Sequence, residues 1–351
     1  MQRLLFTCLL LFTSVSLFAV KFKAPAGPLS KQEKVFEEAW LFVDSHYAFL
    51  KEKGINWDKT YSRFRLRVNE KTSDDSLFSI LTQMLAPLND GNVTLTTKDG
   101  KHFSANRPSR FEQEFNSPEL RQKFWPMVDF SLVKYGFAPL KYFGQDDNSN
   151  ALYAYSSNGS LGYLRIYSCK GGLNYINTIM DEFNGLGGII VDVRSNSGGD
   201  DKVALNVAGN FTDKRVVAYT KQTRIEGMPA YTYPEEVYFK PKGSAPFLGK
   251  VVLLTNDRTT NAAEIFTLAM KQLPNVTIVG EASEGNFSDI YSTKLLNGWV
   301  LTLSNQRCLS PQGVSYDGVG VPVDVPVKNS VSDLESNSDP VVTKAISLLN
   351  K

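Results

Sequence analysis

Residues 251–270, VVLLTNDRTTNAAEIFTLAM, constrain the chain most. Val251 to Leu254 is an apolar run of strand length and β-branched composition. A polar stretch follows, Thr255 to Thr260. Ala262, Ile265, Phe266, Ala269, Met270 and Leu273 then recur at spacings of three and four, which predicts a helix. A strand–turn–helix junction exposes the side chain at the turn. It also aims the unpaired N–H groups and the positive dipole end of the helix at that point. The residue placed there is Asn261.

Upstream, residues 28–100 read as helical. Val35, Phe36, Ala39, Trp40 and Phe42 keep helical spacing, with Ser30 as N-cap and Glu33 completing a capping box. Trp57, Tyr61, Phe64 and Val68 repeat the pattern, as do Leu77, Ile80, Leu81 and Met84. These predict a small bundle over 20–110. Residues 111–157 carry aromatic side chains and turn-rich tracts without clear periodicity and read as a connecting segment. From 158 to 330, short β-branched runs such as GIIVDV alternate with helical patterns, which argues an α/β core. A C-terminal helix region closes the chain over 331–351. The fold class is therefore α/β, or α+β overall with the bundle.

Residues 1–19 read as a cleavable export signal. They have a short basic n-region at Gln2 and Arg3, an apolar run from Leu4 to Phe12, and small residues at Ser14, Ser16 and Ala19. That places the mature protein in the periplasm or the medium, without stable membrane insertion. A formal net charge of +2 argues against nucleic acid as a partner. Cys169 and Cys308 could pair after export or remain buried thiols. No spacing suggests a metal, and no cofactor is expected.

Four core segments, taken together, resemble the tail-specific, or C-terminal processing, serine peptidases. They are LGYLRIY, GGIIVDVRSNSGGD, NDRTTNAAEIF, and GEASEGNFSD followed by LLNGW and DGVGVPVD. The N-terminal run through GINWDKTY to LAPLNDGNVTL resembles the tricorn-core-like branch. The resemblance implies a crotonase/ClpP-like core, peptide-bond hydrolysis by a serine, and extended or unfolded polypeptide as partner. No Gly-Leu-Gly-Phe-like loop is found for the PDZ module that many members insert.

The resemblance also implies site roles. The nucleophile position holds Asn261 instead of Ser, and the general-base position holds Asn92 instead of His. The other branch of the family uses a Lys where this chain has Asn286. Asp317 falls at the orienting acid. Gly198, Gly199 and Ala262 would supply oxyanion-hole N–H groups, and Gly285, Asn286, Phe287, Ser288 and Asp289 would line the substrate side. An amide nitrogen offers no lone pair for acyl attack, and Asn accepts no proton near neutral pH. The expectation is a peptide-binding pseudoprotease, taking its ligand by strand addition. The alternative is an active peptidase with a relocated group among Ser288, Thr260, His102 and Lys294; Thr259 shares the turn with Thr260. Plainer roles remain open: Asn261 as a helix cap and Asn92 as a turn residue.

Overall fold

A computed structural model describes residues 28–146 and 148–351. The expected export signal lies outside them. The N-terminal unit begins with α1 (Lys31–His46), α2 (Trp57–Arg65) and α3 (Asp74–Leu85). Ser30 Oγ accepts from Glu33 N–H while the Glu33 carboxylate accepts from Ser30 N–H, so the capping box forms as expected. Trp40, Phe36, Leu77, Leu81 and Met84 bury against one another at the centre of this unit.

The helical reading fails at its end. Residues 90–105 are two strands, β1 (Asp90–Thr96) and β2 (His102–Ala105). Their partners come from far along the chain, β11 (Ile290–Lys294) and β12 (Val300–Ser304), in one antiparallel sheet ordered β11-β12-β1-β2. Thr94 sits opposite Thr302 and Leu95 opposite Leu301. A short polar–apolar alternation gains a buried face only when that distant hairpin supplies it.

The segment 111–157 is no connector either. It holds α4 (Arg110–Glu114), α5 (Pro118–Lys134), β3 (Lys141–Gln145) and β4 (Ala151–Ser157). The two strands extend the main sheet, whose order is β14-β10-β9-β6-β5-β4-β3. The remaining members are β5 (Leu161–Ile166), β6 (Gly188–Asp192), β9 (Lys250–Thr255), β10 (Val276–Gly280) and β14 (Val325–Pro326). From β5 to β14 all pairs are parallel; β3 and β4 are antiparallel additions.

Strand alternation decides the layers. Ile189, Val191, Val251 and Leu253 face α6 (Leu173–Glu182), α7 (Asp201–Ala208) and α8 (Ala262–Met270). Ile190, Val252 and Leu254 face α5, α9 (Val331–Ser336) and α10 (Pro340–Leu349). The expected final helix is thus two helices. A third sheet, β13-β7-β8, joins β13 (Gln306–Leu309), β7 (Val216–Thr223) and β8 (Glu235–Phe239) beside α7. Cys169 and Cys308 are free and buried. No helix among the described residues is long and apolar enough to cross a membrane.

Candidate active site

The site is built where β9 turns into α8. The turn is sewn to the loop that follows β6. Thr260 N–H donates to Asn196 O at 3.0 Å, Thr259 Oγ1 donates to Val193 O at 2.9 Å, and Ser195 N–H donates to Asn256 Oδ1 at 2.9 Å. Held this way, Asn261 adopts φ 52° and ψ −126°. Residues other than glycine rarely occupy this region, and such strain collects at functional sites.

That backbone overturns the capping role for Asn261. A cap residue needs extended φ and ψ so that its side chain can turn back onto the first helical N–H groups. Asn261 makes no such bond; its Nδ2 lies 3.4 Å from Ser197 O. Ala262 N–H is left with no partner among the described residues.

Gly198 packs against the turn so closely that a Cβ there would fall 2.6 Å from Asn261 Cβ. Its N–H, however, donates to Asn196 Oδ1 at 2.8 Å, because that side chain folds back over the loop. Gly198 is therefore no oxyanion donor. Gly199 is left for that task, with φ 144° and a backbone pressed against the Cys169 carbonyl, where a Cβ would lie 2.6 Å from the oxygen.

Beside Asn261 lies a cavity of about 350 Å³. Its lining brings together Asn261, Ala262, Gly199, Phe287, Ser288 and Asp289. Ser197, Asp201 and Ile290 complete it. Besides Gly198, four expected residues lie outside the lining. Asn92 is buried on β1, with Nδ2 donating to Ser288 O at 2.9 Å and Ser304 Oγ at 3.2 Å, so it does more than shape a turn. Asn286 lies buried over Gly91, where a Cβ would fall 2.3 Å from its Nδ2. The two positions at which a base was expected thus lie close together. Gly285 packs beneath residues 318–320, its carbonyl accepting from Gly318 N–H. Asp317 accepts from the N–H groups of Phe287 and Cys308, and burial pushes its carboxyl up to about 7.

Glu264 was not among the expected site residues. It is fully buried on α8 and takes Ser283 Oγ, Gly285 N–H and Asn286 N–H at 2.6, 2.6 and 2.7 Å. Burial raises its carboxyl to about 8 against those three donors. It positions the loop that carries Phe287 and Ser288. Its signal was present in the Ala-Ala-Glu of the turn motif, but an acid in the first helical turn reads equally as a dipole complement. Asp90 was also missed. It accepts from Tyr47 OH at 3.0 Å and from Ser304 Oγ at 3.2 Å.

The relocated candidates separate. Ser288 lines the cavity, but its Oγ donates to Asp289 O. Thr260 Oγ1 is buried without a partner among the described residues, and Thr259 Oγ1 is committed to Val193. His102 is on β2, at the sheet edge opposite β11, and meets Thr96 Oγ1. Lys294 ends β11 and is absent from the lining.

Residues 160–327 match the profile of Peptidase family S41, and residues 28–86 match that of the Tricorn protease C1 domain. Residues 160–327 place that part of the chain in the S41 peptidase family. The chain is 26% identical over 196 residues to Tricorn protease of Thermoplasma acidophilum, covering 55% of this chain and 17% of that protein. It is 26% identical over 153 residues to the chloroplastic C-terminal processing peptidase of Tetradesmus obliquus, covering 43% of this chain and 31% of the relative. The chain thus spans less than a third of either relative. A solved structure from Parabacteroides merdae superimposes with a TM-score of 0.79 at 26% identity, covering 92% of this chain and 98% of that one.

Proposed function

We propose that this S41 protein is an exported pseudoprotease: it binds extended polypeptide in the cavity beside Asn261 and does not cleave it. One observation carries the reading. The turn holds its central residue in a strained conformation at the cavity, with Ala262 N–H free at the helix start, yet that residue is an amide. An amide cannot attack an acyl carbon, and Asn92 behind the wall cannot take a proton. In serine peptidases, loss of nucleophile or base alone lowers kcat by roughly a million-fold. Ser197 and Ser288 are the hydroxyls in the lining, and no His, Lys or Arg accompanies them there.

The test compares residues 20–351 with the double substitution Asn92→His and Asn261→Ser on an unfolded, fluorescently labelled polypeptide. The parent should be inert and the double variant should cut. Cleavage by the parent that survives Asn261→Ala would overturn the proposal and favour a peptidase with Ser288 as its relocated nucleophile.

A further inference from the structure

The lining of the cavity is charged in one sense only. Asp201 and Asp289 reach it, and no cationic residue does. Asp289 is answered from outside the lining, by Lys221 Nζ at 2.5 Å. Asp201 is not. Its carboxylate forms no hydrogen bond or salt bridge among the described residues, although the residue is half-buried. A helix-start role does not account for it, since Asp200 already caps α7 by accepting from Lys202 N–H at 2.7 Å.

The groups around Asp201 leave it short of positive charge. Asp200 lies beside it, Asp289 faces it, Tyr219 and Lys221 approach from β7, and the Cys308 thiol from β13. Lys221 is the one cation of this group, and Asp289 holds it. Burial, reinforced by Asp289, raises the Asp201 carboxyl to about 6. A partly buried carboxylate without its own partner is costly, and an incoming cation relieves that cost.

We propose that Asp201 determines specificity, making the cavity prefer a polypeptide segment that places a lysine or arginine side chain against it. The inference rests on the peptide-binding reading above. Gly199 N–H and Ala262 N–H mark where a peptide carbonyl would sit, and Asp201, two residues beyond Gly199, opens α7. Phe287 and Ile290 supply apolar wall for the methylene stem. The cationic head then reaches Asp201, with Asp289 as a second, shared partner.

The test uses N-terminally labelled seven-residue peptides of alanine and serine with one central residue, Lys, Arg, Leu or Glu. Binding to the full chain is followed by fluorescence anisotropy at low and high salt. Lys and Arg peptides should bind about tenfold more tightly than the Leu peptide, and the Glu peptide more weakly. Salt should shrink the difference. Asp201→Asn should bring the Lys peptide to the level of the Leu peptide, and Asp201→Lys should reverse the order of Lys and Glu. Equal binding of all four peptides, or a preference that survives Asp201→Asn, overturns the specificity assignment and leaves peptide binding standing. Failure of every peptide to bind overturns both.

Discussion

Asn92 Nδ2 donates to Ser288 O across 2.9 Å and so ties the first strand of the N-terminal unit to the wall of the cavity. Asn92 acts there as a strut. Removing it by Asn92→Ala strands a buried carbonyl at Ser288 and leaves Ser304 Oγ without this donor, so stability should fall by about 1–3 kcal/mol. Urea unfolding of the parent and variant measures this; coincident midpoints would show that the strut carries no load.

The backbone at Asn261 predicts an unusual order of stabilities. Glycine meets φ 52°, ψ −126° without a Cβ clash, whereas valine cannot adopt it freely. Asn261→Gly should melt no lower than the parent, and Asn261→Val should lose about 1–3 kcal/mol. If valine is tolerated as well as glycine, the turn is not strained.

Arg194 holds the C-terminus onto the sheet. Its guanidinium meets Asp192 Oδ2 at 2.6 Å and Asp339 Oδ2 at 2.8 Å, all three side chains being no more than 1% exposed. The Asp339 contact is ionic rather than a well-aligned hydrogen bond, since that oxygen accepts none among the described residues. Arg194→Met would remove the cation that both buried carboxylates contact, at a cost of about 3–5 kcal/mol. Replacing Asp192 and Asp339 by Asn in the same variant should recover part of that loss in calorimetry; no recovery would mean the cost came from packing.

Burial raises the Asp317 carboxyl from its ordinary value of 3.8 to about 7. Between these values the folded state holds a proton that the unfolded state releases. Its contribution is therefore fully present below pH 3.8, falls as the pH rises, and is gone above about 7. Asp317→Asn should flatten that part of the curve of unfolding free energy against pH. An unchanged slope between pH 5 and 7 in the variant would assign the titration elsewhere.

Features that depend on neighbours in sequence could be read from sequence. The capping box of Ser30 and Glu33 spans three residues, and the β9-turn-α8 junction announced itself by a change of period. Long-range features could not. The strand at Asp90–Thr96 acquires its partner some two hundred residues later, in Val300–Ser304. Helix α5 hid because Pro126, a residue that ordinarily breaks helices, lies inside it, although Phe124, Met127, Val128 and Leu132 share its buried face. At the site, residue type misled in both directions. Asn261 is a good cap by composition, but the turn fixes its backbone first. Gly198 is a good donor by position, but Asn196 had already claimed its N–H.

The sheet β11-β12-β1-β2 draws two strands from each end of the described chain. Cut the polypeptide between residues 105 and 110, and each fragment keeps a two-stranded ribbon with a raw edge and half an apolar face. Such ribbons are marginal in water and prone to stick to one another. Produced together, the fragments should instead recognise each other and reassemble, with Leu95 and Leu301 as the matching teeth. The α/β core is then no separable module: it is one party to a molecular handshake.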